Sequence, residues 1–408
     1  MVVKASESPT IAKHFGELSD PRKGTLRYHN FIDILVIGIC AVTCGADDYE
    51  AIADFGLAKA EWFETFLELP NGIPAQDTFW RVFEALEPEE FQNCFMSWMA
   101  GIRKAFSKEV IAIDGKTLRR SYAKENDKSV IHMVSAWATA NRMVLGQRKV
   151  DEKSNEITAI PELLKALELQ GCIVTIDAMG CQTAIADLIV ERQGDYLLSL
   201  KGNHSNLHDD VILLFDDLIE SEFTAFTYDY STTIDKNHGR IERRRCWTID
   251  FPTLDGCLRG ADKWRKLTTL VKVQSERTLN GKRSVENRYF IASYHDTAQN
   301  ILQQTRRHWH IENSLHWVLD IAFREDESRI RKGNGPQNFA VLRHIALNLL
   351  KQNSSSKLGI KNRRLRAGWD NEYLSDVLEP LFSRTRDCPT QPTTYTSGTQ
   401  PRRCPFMD

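Results

Sequence analysis

Most of the short signatures that announce a chemistry are missing from this 408-residue chain. The nine cysteines (Cys40, Cys44, Cys94, Cys172, Cys181, Cys246, Cys257, Cys388 and Cys404) include no CxxC pair and are odd in number, which supports neither a zinc knuckle nor a disulfide framework. Several sit inside apolar runs, as reduced core cysteines do. The longest apolar run, residues 34–44, is shorter than the ~18 residues a membrane-spanning helix requires. The first residues lack the charged-then-apolar pattern of a secretory signal. There is no GxSxG elbow for a serine hydrolase. Gly115-Lys116-Thr117 lacks the upstream glycine of a phosphate-binding loop. No HExxH occurs, and His308, Glu312 and His316, at successive fourth positions, rotate by ~40° each around an α-helix, so zinc is not supported. No repeat is evident. A net charge of −2 excludes a globally basic chain, so any nucleic-acid contact must come from local clusters. With 42% hydrophobic and 26% charged residues, the expectation is a cytoplasmic protein of two or three domains with a large core.

What is present begins at residues 110–120. Val110 to Ile113 is a β-branched, apolar stretch that reads as a buried strand ending at Asp114. Strand ends are where ligands bind in α/β sheets. Gly115 permits close approach of other groups, and Lys116, Arg119 and Arg120 add positive charge. Carboxylate beside cations suits a site that holds a metal ion and handles phosphates.

Residues 1–100 read as a helical domain. It has an apolar helix over 31–44 stopped by Gly45, a second over 49–66, and a third capped by Asp77 and ended by Pro88. It is either a DNA-end-binding domain or a packing domain. Residues 101–203 change grammar. Strands at 110–113, 130–138 and 143–150 precede a helix, a strand over 172–176 ending in Asp177, another helix and a strand over 196–200, which predicts a mixed sheet. Residues 204–290 read as a β-rich insertion with a leading helix and strands around 241–250, 266–274 and 285–294. Its run His238-Gly239-Arg240-Ile241-Glu242-Arg243-Arg244-Arg245 either contacts phosphates or is a solvated charged edge strand. Residues 291–350 carry a long helix over 297–323 with Ile311, Leu315, Val318 and Ala322 as its core stripe and Glu312 beside it. An apolar helix over 339–350 follows. Residues 351–408 read as a basic linker and a disordered tail.

Asp114, Asp177 and Glu312 thus fall on two strands and a late helix. Hard oxygen ligands of this kind suit Mg²⁺, with Mn²⁺ as a substitute. Two such ions ~4 Å apart would serve an in-line phosphoryl transfer, with Asp114 shared between them. Lys116, Lys201 and Arg306 are candidates to neutralise flanking phosphates. Of the nearby acids, Asp320 lies ~12 Å further along the helix axis than Glu312, and Glu325, Asp326 and Glu327 read as solvated.

With those residues in view, residues 12–378 resemble bacterial insertion-sequence transposases of the DDE type, in particular the H-repeat-associated proteins of Rhs elements. The resemblance rests on Ala112-Ile113-Asp114-Gly115-Lys116, on residues 175–182 around Asp177, on Leu200-Lys201-Gly202-Asn203, on residues 238–244, and on residues 308–317 around Glu312. It implies an α/β, ribonuclease H-like mixed-sheet catalytic core with a β-rich insertion and an N-terminal helical domain. It further implies Mg²⁺-dependent DNA cleavage and strand transfer at terminal inverted repeats. Asp114, Asp177 and Glu312 would be both catalytic residues and metal ligands. Lys116, Arg119, Arg120, Lys201, Asn203, His238, Arg240, Arg243, Arg244, Arg306, His308 and Trp309 would face DNA. A nucleoid-associated homodimer on double-stranded DNA ends is the expected assembly.

Two departures stand out. Many related transposases carry Tyr, Arg and Lys around the catalytic Glu, where this chain has Thr305, His308 and Leu319. The tail beyond about residue 380 does not resemble the family, and its composition suits a frameshifted or fused terminus. A metal-dependent nuclease without strand transfer and an inactive DNA-binding relic remain alternative readings.

Overall fold

The computed structural model describes residues 10–24, 27–103, 106, 108–121, 130–150, 155–220, 227–237, 239–251, 256 and 258–382. Six helices come first: α1 (Thr10–Phe15), α2 (Phe31–Cys44), α3 (Tyr49–Ala58), α4 (Ala60–Phe63), α5 (Gln76–Ala85) and α6 (Pro88–Ile102). The Asn30 side chain accepts from the Ile32 N–H to cap α2, and Gly45, at φ 121°, ends it as expected. The helix expected over 49–66 breaks at Lys59. Asp77 does not cap α5; it lies exposed in the first turn, 3.6 Å from Arg81. Pro88 opens α6 rather than closing α5, because the first helical position has no N–H bond to lose.

The sheet follows. Its elements are β1 (Val110–Leu118), β2 (Ile131–Ala138), β3 (Met143–Lys149), α7 (Glu156–Ala166), β4 (Ile173–Ile176), α8 (Thr183–Glu191), β5 (Asp195–Leu200), α9 (Ser205–Glu220), β6 (Tyr228–Asn237), β7 (Arg240–Asp250), β8 (Thr269–Leu279) and β9 (Lys282–Ala292). All nine strands form one sheet in the order β3-β2-β1-β4-β5-β9-β8-β7-β6. β1, β4 and β5 run parallel while β2 and β3 meander antiparallel beside β1, the ribonuclease H-like arrangement. The β-rich segment does not build a sheet of its own. β9 pairs antiparallel with β5, and β8, β7 and the unanticipated strand β6 add onto it.

Five helices complete the described chain: α10 (Ala298–His308), α11 (Trp317–Ala322), α12 (Gly335–Gln352), α13 (Ile360–Trp369) and α14 (Asn371–Phe382). From Phe339 to Leu350 every residue of α12 is buried, so α12 is a central pillar with helices and sheet packed around it. The Asn348 amide accepts from the Val144 N–H and donates to the Val144 carbonyl, both at 2.8 Å, satisfying the outer edge of β3. Of the basic linker expected from residue 351 onward, only residues 353–359, between α12 and α13, form a connection; helices α13 and α14 follow. Arg364 of α13 is buried, donates to the Val42 carbonyl at 2.8 Å and stacks 4.2 Å from the Phe323 ring centre. Charge-assisted bonds of this kind contribute about 1.5–3 kcal/mol each. The tail expected beyond residue 383 lies outside the described residues.

Candidate active site

The register of β1 explains how the first two acids meet. β1 does not end at Asp114 as its apolar run suggested. It continues to Leu118 beside β2, but its parallel pairing with β4 stops at Ile113↔Ile176. Asp114 and Asp177 are therefore the next residues on two neighbouring parallel strands, whose backbones lie ~4.8 Å apart. One Asp177 oxygen accepts from the Met179 and Gly180 N–H groups at 3.1 and 3.3 Å, which pins the carboxylate at the turn. Asn203 supports that turn by donating to the Ala178 and Cys181 carbonyls at 2.9 and 3.3 Å, so its amide is committed to structure.

The third acid arrives on an irregular helix. The long helix expected over 297–323 is broken at Trp309, and residues Glu312–His316 form a π-helical turn in which the Trp317 N–H reaches the Glu312 carbonyl. Such turns recur at functional sites because they re-aim side chains. Here the turn brings Glu312 Oε2 and His316 Nδ1 to 3.1 Å, and His316 Nδ1 lies 3.7 Å from Asp114 Oδ2. Ligand atoms of Asp114, Glu312 and His316 all fall within 4.8 Å of one another. Contrary to the rotation argument, Glu312 and His316 converge, while His308 turns to Thr175 Oγ1 at 3.0 Å and ties the helix to β4. Burial holds the His308 imidazole down at about 4 and keeps His316 below its ordinary value.

Asp114 is pushed up to about 7, first by burial and then by repulsion from Glu156, Asp177 and Glu312. Glu156, at the start of α7, is a fourth acid at this site. It pairs with His132 Nε2 at 2.5 Å and lies over Gly115, where an added Cβ would stand 2.0 Å from its Oε1. A larger residue there would push the Glu156 and His132 side chains out of their present pairing.

The acids open into a cleft of about 1130 Å³ lined by Asp114, Asp177, Glu312, Lys201 and Trp309, with one face of β7–β9 as its far wall. Strand alternation divides the arginine run. Arg240 and Arg244 face the cleft, together with Arg277 and Arg288 of β8 and β9, whereas Arg243 is exposed on the opposite face. Arg240 lies 3.1 Å from Glu242, and Arg244 lies 2.7 Å from Asp235 and also pairs with Glu242. Arg306 lines the cleft and pairs with Asp235 at 3.1 Å, and the Arg288 guanidinium lies 5.0 Å from the half-exposed Trp309 ring. His238 lies outside the described residues.

Lys116, Arg119 and Arg120 are not among the residues lining the cleft. Lys116, expected to face DNA, is largely buried and bound by Asp320 and, at 2.8 Å, by Glu325, so in this structure its ammonium is committed to acids. Arg119 lies 3.4 Å from Asp326. Glu325, expected to be solvated, is 2% exposed and lies between Lys116 and Arg343. The groups that sequence reasoning missed as cleft or site residues are His316, Glu156, Arg277, Arg288 and Arg307. The alternating register of β7–β9 was the available signal for two of them.

The geometry describes a ribonuclease H-like protein with an acidic site at the ends of its central parallel pairing. Residues 105–349 match the family described as "Transposase DDE domain", and residues 12–99 match "DDE_Tnp_1-associated". The chain belongs to the DDE transposase family. It is 39% identical to the H repeat-associated putative transposase YhhI of Escherichia coli (strain K12), over 91% of this chain and 98% of that protein. It is 40% identical to the Putative transposase YncI of Escherichia coli O157:H7, over 90% of this chain and 94% of that protein. Among solved structures, the piggyBac transposase synaptic complex with hairpin DNA aligns at a TM-score of 0.41 and 11% identity, over 93% of this chain and 83% of that one. Among the described residues no helix is long and apolar enough to cross a membrane.

Proposed function

We propose that this transposase cuts double-stranded DNA at the terminal inverted repeats of an insertion element and joins the ends to target DNA, using Mg²⁺ or Mn²⁺. The observation that carries this reading is that Asp114, Asp177 and Glu312 all line one arginine-walled cleft, with Asp114 and Glu312 oxygens within 4.8 Å of each other. The donor set fits divalent cations. Carboxylate oxygens are their preferred ligands, and the burial and neighbouring negative charge that raise the Asp114 carboxyl are what a bound cation would offset. Divalent cations there would supply activation of the attacking oxygen and stabilisation of the leaving one.

The chain's own groups do the rest. Asp114 and Asp177 present carboxylates from adjacent strands, and the π-helical turn lowers Glu312 toward them. Arg240, Arg244, Arg288 and Arg306 offer phosphate contacts, exchanging Asp235 and Glu242 for DNA oxygens. The Thr305 hydroxyl, buried at the cleft wall, donates to the Leu302 carbonyl at 2.9 Å, Leu319 is buried in the core and His308 is bonded to β4, so phosphate binding falls to the β7–β9 face instead. A homodimer on paired ends, at the nucleoid, completes the reading.

The test is incubation of the purified chain with labelled element ends, target DNA and Mg²⁺, scored for nicked and joined products. Joined products that vanish in chelator are expected. Cleavage without joining from precut ends would leave a nuclease, and binding without cleavage an inactive relic.

A further inference from the structure

His316 has no role in the three-acid scheme, yet its surroundings are those of a ligand. The residue is 4% exposed, and its Nδ1 points at one oxygen of Glu312 (3.1 Å) and one of Asp114 (3.7 Å). Its Nε2 is buried without a hydrogen-bond partner among the described residues. Either tautomer therefore leaves a ring nitrogen unsatisfied. If Nδ1 carries the hydrogen, Nε2 is a bare buried acceptor. If Nε2 carries it, the Nδ1 lone pair faces two carboxylate oxygens, an arrangement that is repulsive unless a proton or a metal cation stands between them. Ligands ~2.1 Å from an octahedral ion stand roughly 3 Å apart when adjacent and about 4 Å apart when opposite. The 3.1 and 3.7 Å separations fall in that range, and the three ligand atoms lie within 4.8 Å of one another.

We propose that His316 Nδ1 is itself a metal ligand, forming with Asp114 and Glu312 a mixed nitrogen–oxygen site that takes Mn²⁺ in preference to Mg²⁺. The proposal rests on the divalent-cation reading above and adds a ligand to it. Mn²⁺ shares the oxygen ligands of Mg²⁺ but, as a first-row transition ion, accepts an imidazole nitrogen more readily, so one nitrogen shifts the preference of the site away from Mg²⁺. The π-helical turn is the local device that makes the site, because it brings Glu312 and His316 together over Asp114. The second acid, Asp177, has one oxygen tied into its turn and stands outside this ligand group.

The test is pulsed electron paramagnetic resonance of Mn²⁺ titrated into the metal-stripped full chain. Bound Mn²⁺ in the wild type should show coupling to a directly ligated ¹⁴N. His316→Gln and His316→Asn should lose that coupling and bind Mn²⁺ about tenfold or more weakly, with a smaller Mn²⁺-over-Mg²⁺ preference. The Asn variant places an oxygen near the position of Nδ1, so it keeps a ligand and the fold while removing the nitrogen. His308→Gln should leave the coupling intact, since that ring is bonded to Thr175. Mn²⁺ bound with weakening by Asp114→Asn but without ¹⁴N coupling overturns this proposal alone. Mn²⁺ binding that is absent, or indifferent to Asp114→Asn, overturns the cation reading with it.

Discussion

Lys116 Nζ lies 2.8 Å from Glu325 Oε2, across 209 residues of chain, and it also pairs with Asp320 on α11 and, at 3.6 Å, with Asp326. Lys116 is two residues beyond Asp114 on β1, and Asp320 is eight beyond Glu312 on the helical segment above. One ammonium thus ties the strand of the first acid to the helix of the third, one tier below the site. Lys116→Met should destabilise the protein by about 3 kcal/mol, because it removes a principal counter-charge of the buried Glu325. Urea denaturation checks this. The salt dependence of DNA binding should not change, and a reduced slope would restore Lys116 as a phosphate contact.

The acids themselves should separate cleanly. Asp114→Asn, Asp177→Asn and Glu312→Gln should each bring cleavage of element ends to background while duplex binding persists. Asp320→Asn should retain cleavage and lose about 1 kcal/mol, since it weakens a partly exposed partner of Lys116. Active Glu312→Gln beside inactive Asp320→Asn would move the third ligand to Asp320.

Strand alternation predicts a split within the arginine run. Arg240→Ala, Arg244→Ala and Arg288→Ala should weaken binding to unrelated duplexes and lower the salt slope by about 0.9 per contact. Arg243→Ala, on the far face, should leave the slope unchanged. Equal losses from all four would mean that DNA wraps the sheet extension rather than lying in the cleft.

Acid should loosen the pillar helix. Burial holds the His344 imidazole at about 4 against an ordinary 6.5, with Glu325 favouring its charged form and His316, Lys116 and Arg343 opposing it. Between pH 6.5 and 4 the unfolded chain takes up a proton that the folded chain refuses, so stability falls as pH falls through that window. His344→Leu should flatten the dependence by at most about 3 kcal/mol, read from denaturation midpoints at pH 7 and 4.5. A wild type and variant with parallel profiles would contradict it.

Much of the core was legible along the chain. The β-branched runs before Asp114 and Asp177 form buried strands, Gly45 stops α2, and the order of strands and helices gives the mixed sheet. These features depend on contacts within a few residues, or on which residues must leave water. Strand β6 was not legible, because its Tyr228–Asn237 segment is polar and held largely by pairing with β7. Helices α13 and α14 were missed because a basic run looks like a linker unless one knows that Arg364 has carbonyls waiting for it on α2.

The sequence by itself determined which acids follow the apolar runs of two buried strands and which helical segment carries the third, since hydrophobic patterning dictates burial and direction locally. Only the tertiary structure decided which charges meet. Lys116 looked free for phosphate and is bound by acids more than 200 residues away. His316 looked like one more helical histidine and stands between two site carboxylates. Charge pairing carries no signature in local spacing. It is settled when the helix docks on β1, where burial raises the cost of every unpaired charge and leaves few ways to satisfy them all.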